Sequence, residues 1–266
     1  MTNTLGQDLL WATSASLFAR EALGFVADKW QNDALAYQGR RGIWNISRQA
    51  GKSVTAAVLG LHCAIYKPNA LVLLASPSLR QSVELYRKVQ EFMAMMDYPP
   101  DLVESTKSAC EFALTGSRIV CLPATEATIR GYSGVDLIIE DEASRVSDAF
   151  HVAIRPMLAV SGGRHFQLST PWGKRGHFYH TWIQERPGWQ RIKITADQCS
   201  RITQEFVDNE RIETSAWSVA QEYYCEFNEM VDALFTTSVI EAAFTDEVEE
   251  LFPELDFQSF IQGETR

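Results

Sequence analysis

The residue types that could do chemistry are concentrated first in one stretch, Asn45-Ile-Ser-Arg-Gln-Ala-Gly-Lys-Ser53. An apolar segment, Gly42 to Ile46, leads into it, and an alanine-rich run, Val54 to Tyr66, follows it. A strand, a tight loop and a helix in this order form a phosphate cradle, because the first N–H groups of a helix have no internal partner and lie at the positive end of its dipole. The stretch therefore predicts a phosphate-binding loop.

Three residues at the end of the loop have separate roles in such a cradle. Gly51 lets the backbone approach a phosphate, Lys52 can reach the β- and γ-phosphates, and the Ser53 hydroxyl can ligate Mg²⁺. The usual pattern has a glycine where Ile46 stands, and Arg48 lies inside the loop. Taken alone, the stretch is also compatible with an ordinary loop that carries an exposed lysine.

A second segment, Val135-Asp-Leu-Ile-Ile-Glu-Asp-Glu-Ala143, is an apolar run that ends in adjacent carboxylates. Its centre is typical of a strand buried on both faces. At the end of that strand Asp141 can hold Mg²⁺ while Glu142 polarises a water molecule for attack on a γ-phosphate. A strand followed by a solvated acidic turn is the alternative, but the two motifs together predict an ATPase.

The whole chain has 266 residues, a formal net charge of −10 and 46% hydrophobic residues. The charge argues against nonspecific coating of nucleic acid. No run approaches the roughly 20 apolar residues that cross a bilayer, and Met1 to Gln7 carries no basic region, so we expect a cytosolic chain without a membrane partner. The five cysteines are scattered without a Cys-x-x-Cys pair, and the five histidines lack metal-ligand spacing, so neither a zinc site nor a disulfide framework is expected.

Strand-like and helical segments alternate along the chain, which predicts an α/β fold with a mainly parallel sheet covered by helices on both faces. The six predicted strands are Gly42 to Ile46, Ala70 to Ala75, Arg118 to Leu122, Leu137 to Glu140, His165 to Ser169 and Gln190 to Ile194. Helices are predicted within the first 37 residues and over Ser78 to Met96, Gln204 to Arg211 and Ala216 to Phe227.

The pattern changes after residue 195, which divides the chain into three predicted parts. Residues 1–195 would form the ATPase core with an N-terminal helical segment, and residues 196–240 a small, mostly helical lid or linker subdomain. Residues 241–266 form an acidic tail with interleaved aromatics, compatible with a docking segment or with a flexible end.

With these motifs placed, the chain resembles the ATPase domain of the large terminase subunit, the DNA-packaging motor of tailed bacteriophages. Four features in order carry the resemblance: Trp30-Gln31, the arginine-bearing loop Ser47 to Ser53, Thr128-Ile-Arg-Gly131, and Leu168-Ser-Thr-Pro-Trp-Gly-Lys-Arg-Gly-His-Phe-Tyr179. The resemblance implies a RecA-like P-loop NTPase fold of the ASCE type, with ATP and Mg²⁺ as ligands.

The resemblance also implies roles for particular residues. Trp30 and Gln31 would lie on the adenine side, and Arg48 would contact the γ-phosphate and sense hydrolysis. The nucleotide-binding loop would comprise Ser47, Arg48, Gln49, Ala50, Gly51, Lys52 and Ser53.

Two further roles concern movement and assembly. Ser169 and Thr170 would couple loss of the γ-phosphate to a shift of the region from Ala196 to Phe235. Arg130 would reach a neighbouring subunit's ATP as a finger, or would merely cap a loop or pair with Asp136.

The implied partners are double-stranded DNA, the portal protein, the small terminase subunit and further copies of this chain in a ring, with a monomer also compatible in isolation. The implied location is the host cytoplasm, transiently docked on a procapsid. No later pair of strand-borne aspartates follows, so no nuclease domain and no DNA cleavage are expected. Two alternatives stay open: a helicase-like DNA-dependent ATPase of the DExx type, and a non-catalytic nucleotide-dependent switch.

Overall fold

The structure, a computed structural model, describes residues 5–185, 187–229 and 243. Its central feature is a sheet of eight strands. In chain order these are β1 (Arg41–Ile46), β2 (Leu71–Ser76), β3 (Leu102–Ser105), β4 (Ala109–Phe112), β5 (Arg118–Pro123), β6 (Leu137–Asp141), β7 (Arg164–Ser169) and β8 (Trp189–Ile194). All six strands predicted from the sequence are present, with ends that differ by at most one residue.

The spatial order of the strands is β3-β4-β5-β2-β6-β7-β1-β8. In this spatial order, every neighbouring pair from β5 through β2, β6, β7 and β1 to β8 is parallel. The pairs β3–β4 and β4–β5 at one edge are antiparallel. β7 lies between β1 and β6, so the two strands that lead into the phosphate loop and the carboxylate pair are separated by a single neighbour. The carboxyl ends of β1, β6 and β7 therefore meet at one edge of the sheet, where open α/β sheets bind ligands.

The β3–β4 hairpin was not predicted from the sequence. β3 is mostly exposed, so it lacks the continuous apolar run that marks a buried strand. Backbone pairing to β4 stabilises it, in the register Leu102 with Phe112 and Ser105 with Cys110. A two-strand antiparallel edge needs only a local turn, which leaves a weak signal in hydrophobic periodicity.

Helices cover both faces of the sheet. In chain order they are α1 (Leu5–Thr13), α2 (Ala15–Glu21), α3 (Lys29–Ala36), α4 (Lys52–Tyr66), α5 (Leu79–Met95), α6 (Glu126–Ile129), α7 (Asp148–Ser161), α8 (Gly176–Ile183), α9 (Gln204–Glu213) and α10 (Ala216–Glu222). The predicted helix from Ser78 to Met96 corresponds to α5, whose N-cap is Ser78. α10 ends five residues before the predicted Phe227.

Strand β2 shows how the sheet is buried on both faces. Val72 and Leu74 belong to the large core beneath α4 and α5, whereas Leu71, Leu73 and Ala75 belong to the core beneath α7. Successive side chains of a strand point to opposite faces, so a run of apolar residues is expected where both faces are covered. This double burial holds the strand ends, and the loops that follow them, in fixed relative positions.

The residues from Ala196 to Tyr223 have a small hydrophobic cluster of their own, formed by Ala196, Val207, Val219 and Tyr223. The chain divides into two compact units, Met1–Asn228 and Glu229–Arg266. The second unit and the predicted acidic tail lie almost entirely outside the described residues. Among the described helices, none has the length and apolar character that a membrane crossing requires.

Candidate active site

The phosphate loop occupies the turn between β1 and α4. Gly51 has φ +93°, and Gln49 has φ +61°, both in the left-handed region. A Cβ atom at Gly51 would lie 2.7 Å from Gln31 Nε2 and 3.2 Å from Arg201 Nη2. Glycine is therefore required here for conformation and for space, since both neighbours approach the loop backbone closely.

Lys52 is the first residue of α4 and is almost fully buried, with 7% of its surface exposed. Its Nζ donates hydrogen bonds to the carbonyl oxygens of Ile46 at 3.1 Å and Ser47 at 3.4 Å. The ammonium group is thus held by the backbone at the start of its own loop. A buried cation whose partners are neutral carbonyls is positioned to exchange them for anionic phosphate oxygens.

The carboxylate pair meets the loop directly. Ser53 Oγ donates to Asp141 Oδ2 at 3.1 Å, which joins residues 88 positions apart in the chain. Burial and the neighbouring Glu142 carboxylate raise the pKa of Asp141 to about 6, while Lys52 acts in the opposite direction. The structure therefore brings a hydroxyl and a buried carboxylate together as a pair of oxygen ligands.

Glu142 adopts φ +55° at the point where β6 ends. Such a conformation is strained for a residue with a side chain and is often found at functional sites. Its carboxylate accepts a hydrogen bond from Ser169 Oγ at 3.5 Å, and Ser169 Oγ lies 2.7 Å from Ser144 Oγ. Glu142 is thus turned away from the strand axis and linked to the end of β7.

A cavity of about 460 Å³ lies over the phosphate loop. Its lining includes Arg48, Gln49, Gly51, Lys52, Ser53 and Glu142, together with Phe25, Gln31, Val54, Lys88 and Arg201. A second cavity of about 500 Å³ shares Ser53, Lys88 and Glu142 and adds Asp141 and Arg80 to the lining. The four cations of the first cavity face a single carboxylate there, which favours a polyanionic ligand.

Four of these lining residues were not predicted as site residues from the sequence: Phe25, Val54, Lys88 and Arg201. Arg201 follows β8, donates to the carbonyl oxygen of Ala50 at 2.9 Å and forms an ion pair with Asp28 at 2.7 Å. Lys88 reaches the site from the middle of α5. Neither residue lies in a recognisable motif, so only the packing of distant segments brings them to the loop.

Some predicted site residues lie outside both cavities. Trp30 is buried and packs edge-to-face against Trp44, with ring centroids 6.3 Å apart, and it lines a separate cavity beside β8. Ser47 and Ala50 have buried side chains within the loop, and Ser47 Oγ donates to the carbonyl oxygen of Arg48 at 3.1 Å. Gln31, by contrast, lines the phosphate-loop cavity and donates to the carbonyl oxygen of Gly51 at 3.4 Å.

Arg130 is the C-cap residue of α6 and is exposed. It forms an ion pair with Glu126 and is not among the residues that line either nucleotide-side cavity. The alternative that Arg130 pairs with Asp136 is wrong, because Asp136 pairs with Lys67 Nζ at 2.6 Å and accepts the N–H of Leu71. Arg130 is therefore displayed on the surface, away from the loop of its own chain.

Thr170 links the end of β7 to α10. Its Oγ1 donates to Glu222 Oε2 at 3.3 Å, and Arg145 Nη2 lies 3.5 Å from Glu222 Oε1. The backbone carbonyl of Glu222 accepts the N–H of Arg48 at 2.9 Å. One residue of α10 thus contacts both the phosphate loop and the segment predicted to couple hydrolysis to movement, a contact that no sequence motif indicated.

Comparison with known proteins agrees with this geometry. The family described as terminase large subunit, T4likevirus-type, N-terminal, matches residues 43–242. The fold is similar to the large terminase ATPase domain of Thermus phage P74-26, with 20% identity over 81% of this chain and 98% of that one, at a TM-score of 0.69.

Two longer proteins share the fold. One is the HK97 bacteriophage large terminase, with 15% identity over 80% of this chain and 54% of that one and a TM-score of 0.68. The other is the large terminase of a thermophilic bacteriophage in complex with ATP-γ-S, with 12% identity over 84% of this chain and 52% of that one and a TM-score of 0.56. The chain thus spans about half the length of these two relatives.

A loop after β1 that ends in Lys52 and Ser53, a carboxylate pair after β6, and β7 between them fit an ATPase domain with a RecA-like fold. Within that class the match over residues 43–242 is decisive, because it covers both motifs and most of the described sheet. The chain belongs to the terminase large-subunit family, the ATP-driven motors of phage DNA packaging. The helicase-like and switch alternatives are not favoured.

Proposed function

We propose that this protein hydrolyses ATP at the loop formed by residues 47–53 and uses the reaction to translocate double-stranded viral DNA into a procapsid. The observation that carries the proposal is the hydrogen bond of 3.1 Å between Ser53 Oγ and Asp141 Oδ2. Through this contact the loop and the carboxylate pair border two cavities that share Ser53, Lys88 and Glu142, and a single triphosphate with its metal ion would span them. Family membership supports DNA packaging as the function. The contact between Ser53 and Asp141 supports the choice of the site residues.

The residues around these cavities have complementary roles. The backbone N–H groups of the loop and Lys52 Nζ would hold the phosphates, replacing the carbonyl partners at 3.1 and 3.4 Å. Arg48 would lie against the γ-phosphate. Glu142 would orient the attacking water molecule and accept its proton, and its link to Ser169 would report the state of the reaction to β7.

Mg²⁺ fits the oxygen ligands that Ser53 and Asp141 present. The buried Asp141 carboxylate, whose pKa is raised to about 6, is the kind of group whose ionised form a divalent cation stabilises. When bound, Mg²⁺ neutralises charge on the β- and γ-phosphate oxygens. Among the chain's own residues, Ser53 and Asp141 would hold the ion.

The proposed partners follow from the family and from the exposed position of Arg130. They are double-stranded DNA, a portal protein, the small terminase subunit and further copies of this chain in a ring. The proposed location is the host cytoplasm, with transient docking on a procapsid. Glu222 would link α10 to this cycle, since it touches the loop backbone and Thr170.

The decisive test is ATP turnover measured with the protein alone, then with duplex DNA, then with DNA and portal. Stimulation by duplex DNA and portal without strand separation is expected. Strand unwinding would instead support the helicase-like alternative. Nucleotide binding with no turnover under all three conditions would support the switch and contradict the proposal.

A further inference from the structure

Glu140, the residue before Asp141, is fully buried in β6 among three histidines. Its Oε1 lies 2.5 Å from His165 Nε2, and its Oε2 lies 3.0 Å from His177 Nε2. His151 Nδ1 completes the group at 3.9 Å from Oε1. We refer to Glu140, His151, His165 and His177 as the histidine cluster.

The spacing of the histidines in the sequence predicts no metal site, and the histidine cluster is formed only by tertiary packing. His151 lies on α7, His165 on β7 and His177 on α8, so no short sequence spacing could reveal it. The rings of His151 and His177 are stacked with centroids 4.4 Å apart. The sheet and two helices thus bring three imidazoles to one carboxylate.

The distances suit a transition-metal ion. One ligand atom from each of Glu140, His151 and His165 can be chosen so that all lie within 4.8 Å of one another. Zinc binds imidazole nitrogen at about 2.0–2.1 Å, so the ligand atoms of a tetrahedral site are about 3.4 Å apart. The separations of 2.5 and 3.9 Å from Glu140 Oε1 to His165 Nε2 and His151 Nδ1 bracket that spacing, and His177 Nε2 lies 3.0 Å from the other oxygen, Oε2.

The residues around the cluster are arranged as the outer shell of a metal site usually is. His177 Nδ1 lies 3.4 Å from Asp148 Oδ1, near enough for the carboxylate–histidine pairing that orients a ligating imidazole but without hydrogen-bond geometry as it stands. In the described residues, His177 Nδ1 and Gln167 Oε1 are buried without a hydrogen-bond partner. A metal on His177 Nε2 would place the proton on Nδ1, where it can be donated to Asp148.

Access and selectivity can also be read from the surroundings. A cavity of about 610 Å³ reaches His151 and His165 from the surface. Arg41 and Arg155 line the same cavity, so their charges oppose the entry of any cation and the ligand atoms must offset this repulsion. Three nitrogen ligands and one carboxylate suit Zn²⁺ and similar ions, whereas Mg²⁺ prefers oxygen ligands.

We propose that the histidine cluster binds one Zn²⁺-class ion, which ties α7, β7 and α8 to β6 directly behind the carboxylate pair. This site is distinct from the Mg²⁺ position at Ser53 and Asp141. Its effect would be structural: the ion would hold Glu140, and with it the backbone that presents Asp141 and Glu142, in one position.

The proposal predicts that chelator-treated protein takes up one equivalent of Zn²⁺ in competition with a chromophoric chelator, with a raised melting temperature. Millimolar-range Mg²⁺ should not compete. Co²⁺ should give the intense visible bands of a four-coordinate ion. Absence of both Zn²⁺ uptake and the Co²⁺ bands in wild-type protein would overturn the proposal without any substitution.

Two histidine variants test whether the ion binds at the histidine cluster. His151→Ala, at the least buried of the three imidazoles, should weaken Zn²⁺ binding by at least about 10–100-fold and abolish the thermal stabilisation. His180→Ala is the matched control, because His180 is exposed on α8 outside the cluster. Equal Zn²⁺ affinity in wild type, folded His151→Ala and His180→Ala would show that the ion binds elsewhere and would contradict the assignment.

Discussion

Glu142 is the residue whose chemistry the proposed reaction depends on most. It is turned out of β6 by its positive φ and contacts Ser169 at 3.5 Å. Lys52 and the loop backbone, which would hold the phosphates, do not depend on its charge. Binding and turnover should therefore separate when the carboxylate is removed.

For Glu142→Gln we expect ATP affinity to remain and turnover to fall by about 10²–10⁴-fold, because an amide cannot accept the proton of the attacking water. Hydrolysis rates and binding of a fluorescent ATP analogue would measure the two effects. Glu84→Gln is the control, since Glu84 lines the adjoining cavity but pairs with Arg87 at 3.0 Å. Undiminished hydrolysis by Glu142→Gln would remove Glu142 from this role.

The raised pKa of Asp141 predicts how the free energy of unfolding depends on pH. Its pKa in the folded protein is about 6, above the ordinary value of 3.8, so the fold favours the protonated form. The folded state then binds more protons than the unfolded state between these values, and the metal-free protein gains stability as the pH falls through about 6. Above that pH the ionised carboxylate lowers the free energy of unfolding.

Asp141→Asn should consequently raise the free energy of unfolding at pH 7 by roughly 3 kcal/mol in the absence of Mg²⁺, while turnover is lost. The gain should shrink as the pH is lowered and vanish below the ordinary carboxyl pKa. Denaturant unfolding with a chelator present, at several pH values, measures it. A destabilised variant at pH 7 would mean that the hydrogen bond from Ser53 outweighs the burial of charge.

At the scale of elements, α10 contacts both the loop after β1 and the end of β7 through Glu222. The backbone of Glu222 holds Arg48, whereas its carboxylate contacts Thr170 and Arg145. A side-chain substitution would leave the backbone hydrogen bond in place. It would therefore test communication between β7 and α10 separately from the docking of α10.

Glu222→Ala should leave ATP affinity within a few-fold of wild type but lower DNA-stimulated turnover and packaging. The matched control is Glu226→Ala, an exposed residue just beyond α10. Comparing basal with DNA-stimulated ATPase rates for both variants is the measurement. Equal stimulation in the two variants would show that the carboxylate plays no part in coupling.

At the scale of the whole molecule, the position of Arg130 concerns assembly with neighbouring copies of the chain. Arg130 is exposed at the end of α6, pairs with Glu126 and is not among the described residues that line the two cavities at the loop. A charge that reaches a neighbour's transition state can be worth ~10³–10⁵ in rate. Its contribution should therefore be measurable only in an assembled ring.

Mixing Arg130→Ala with Lys52→Ala protein tests this directly. If the arginine acts in trans, some interfaces of a mixed ring pair an intact loop with an intact finger, and activity should exceed that of either variant alone. Assembly of each variant must first be verified by light scattering on portal-bound samples. Assembled mixtures that regain nothing would remove support for a trans finger.

Both motifs and the strands that carry them could be predicted from the amino-acid sequence alone. Each motif is contiguous, and each follows an apolar run that only a buried strand explains, so Lys52, Ser53, Asp141 and Glu142 could be placed at strand ends without coordinates. Burial on both faces also leaves a strong signal, which is why strands such as β2 and β6 were predicted and the exposed β3 was not.

The distant side chains that join the site are brought there by tertiary packing. The site includes Lys88 from α5, Arg201 from the segment after β8, and Glu222 from α10. The histidine cluster joins residues from β6, β7, α7 and α8. Their meeting depends on strand order and helix packing, which are collective properties of the core rather than of any local pattern. Short-range spacing carries no information about such contacts.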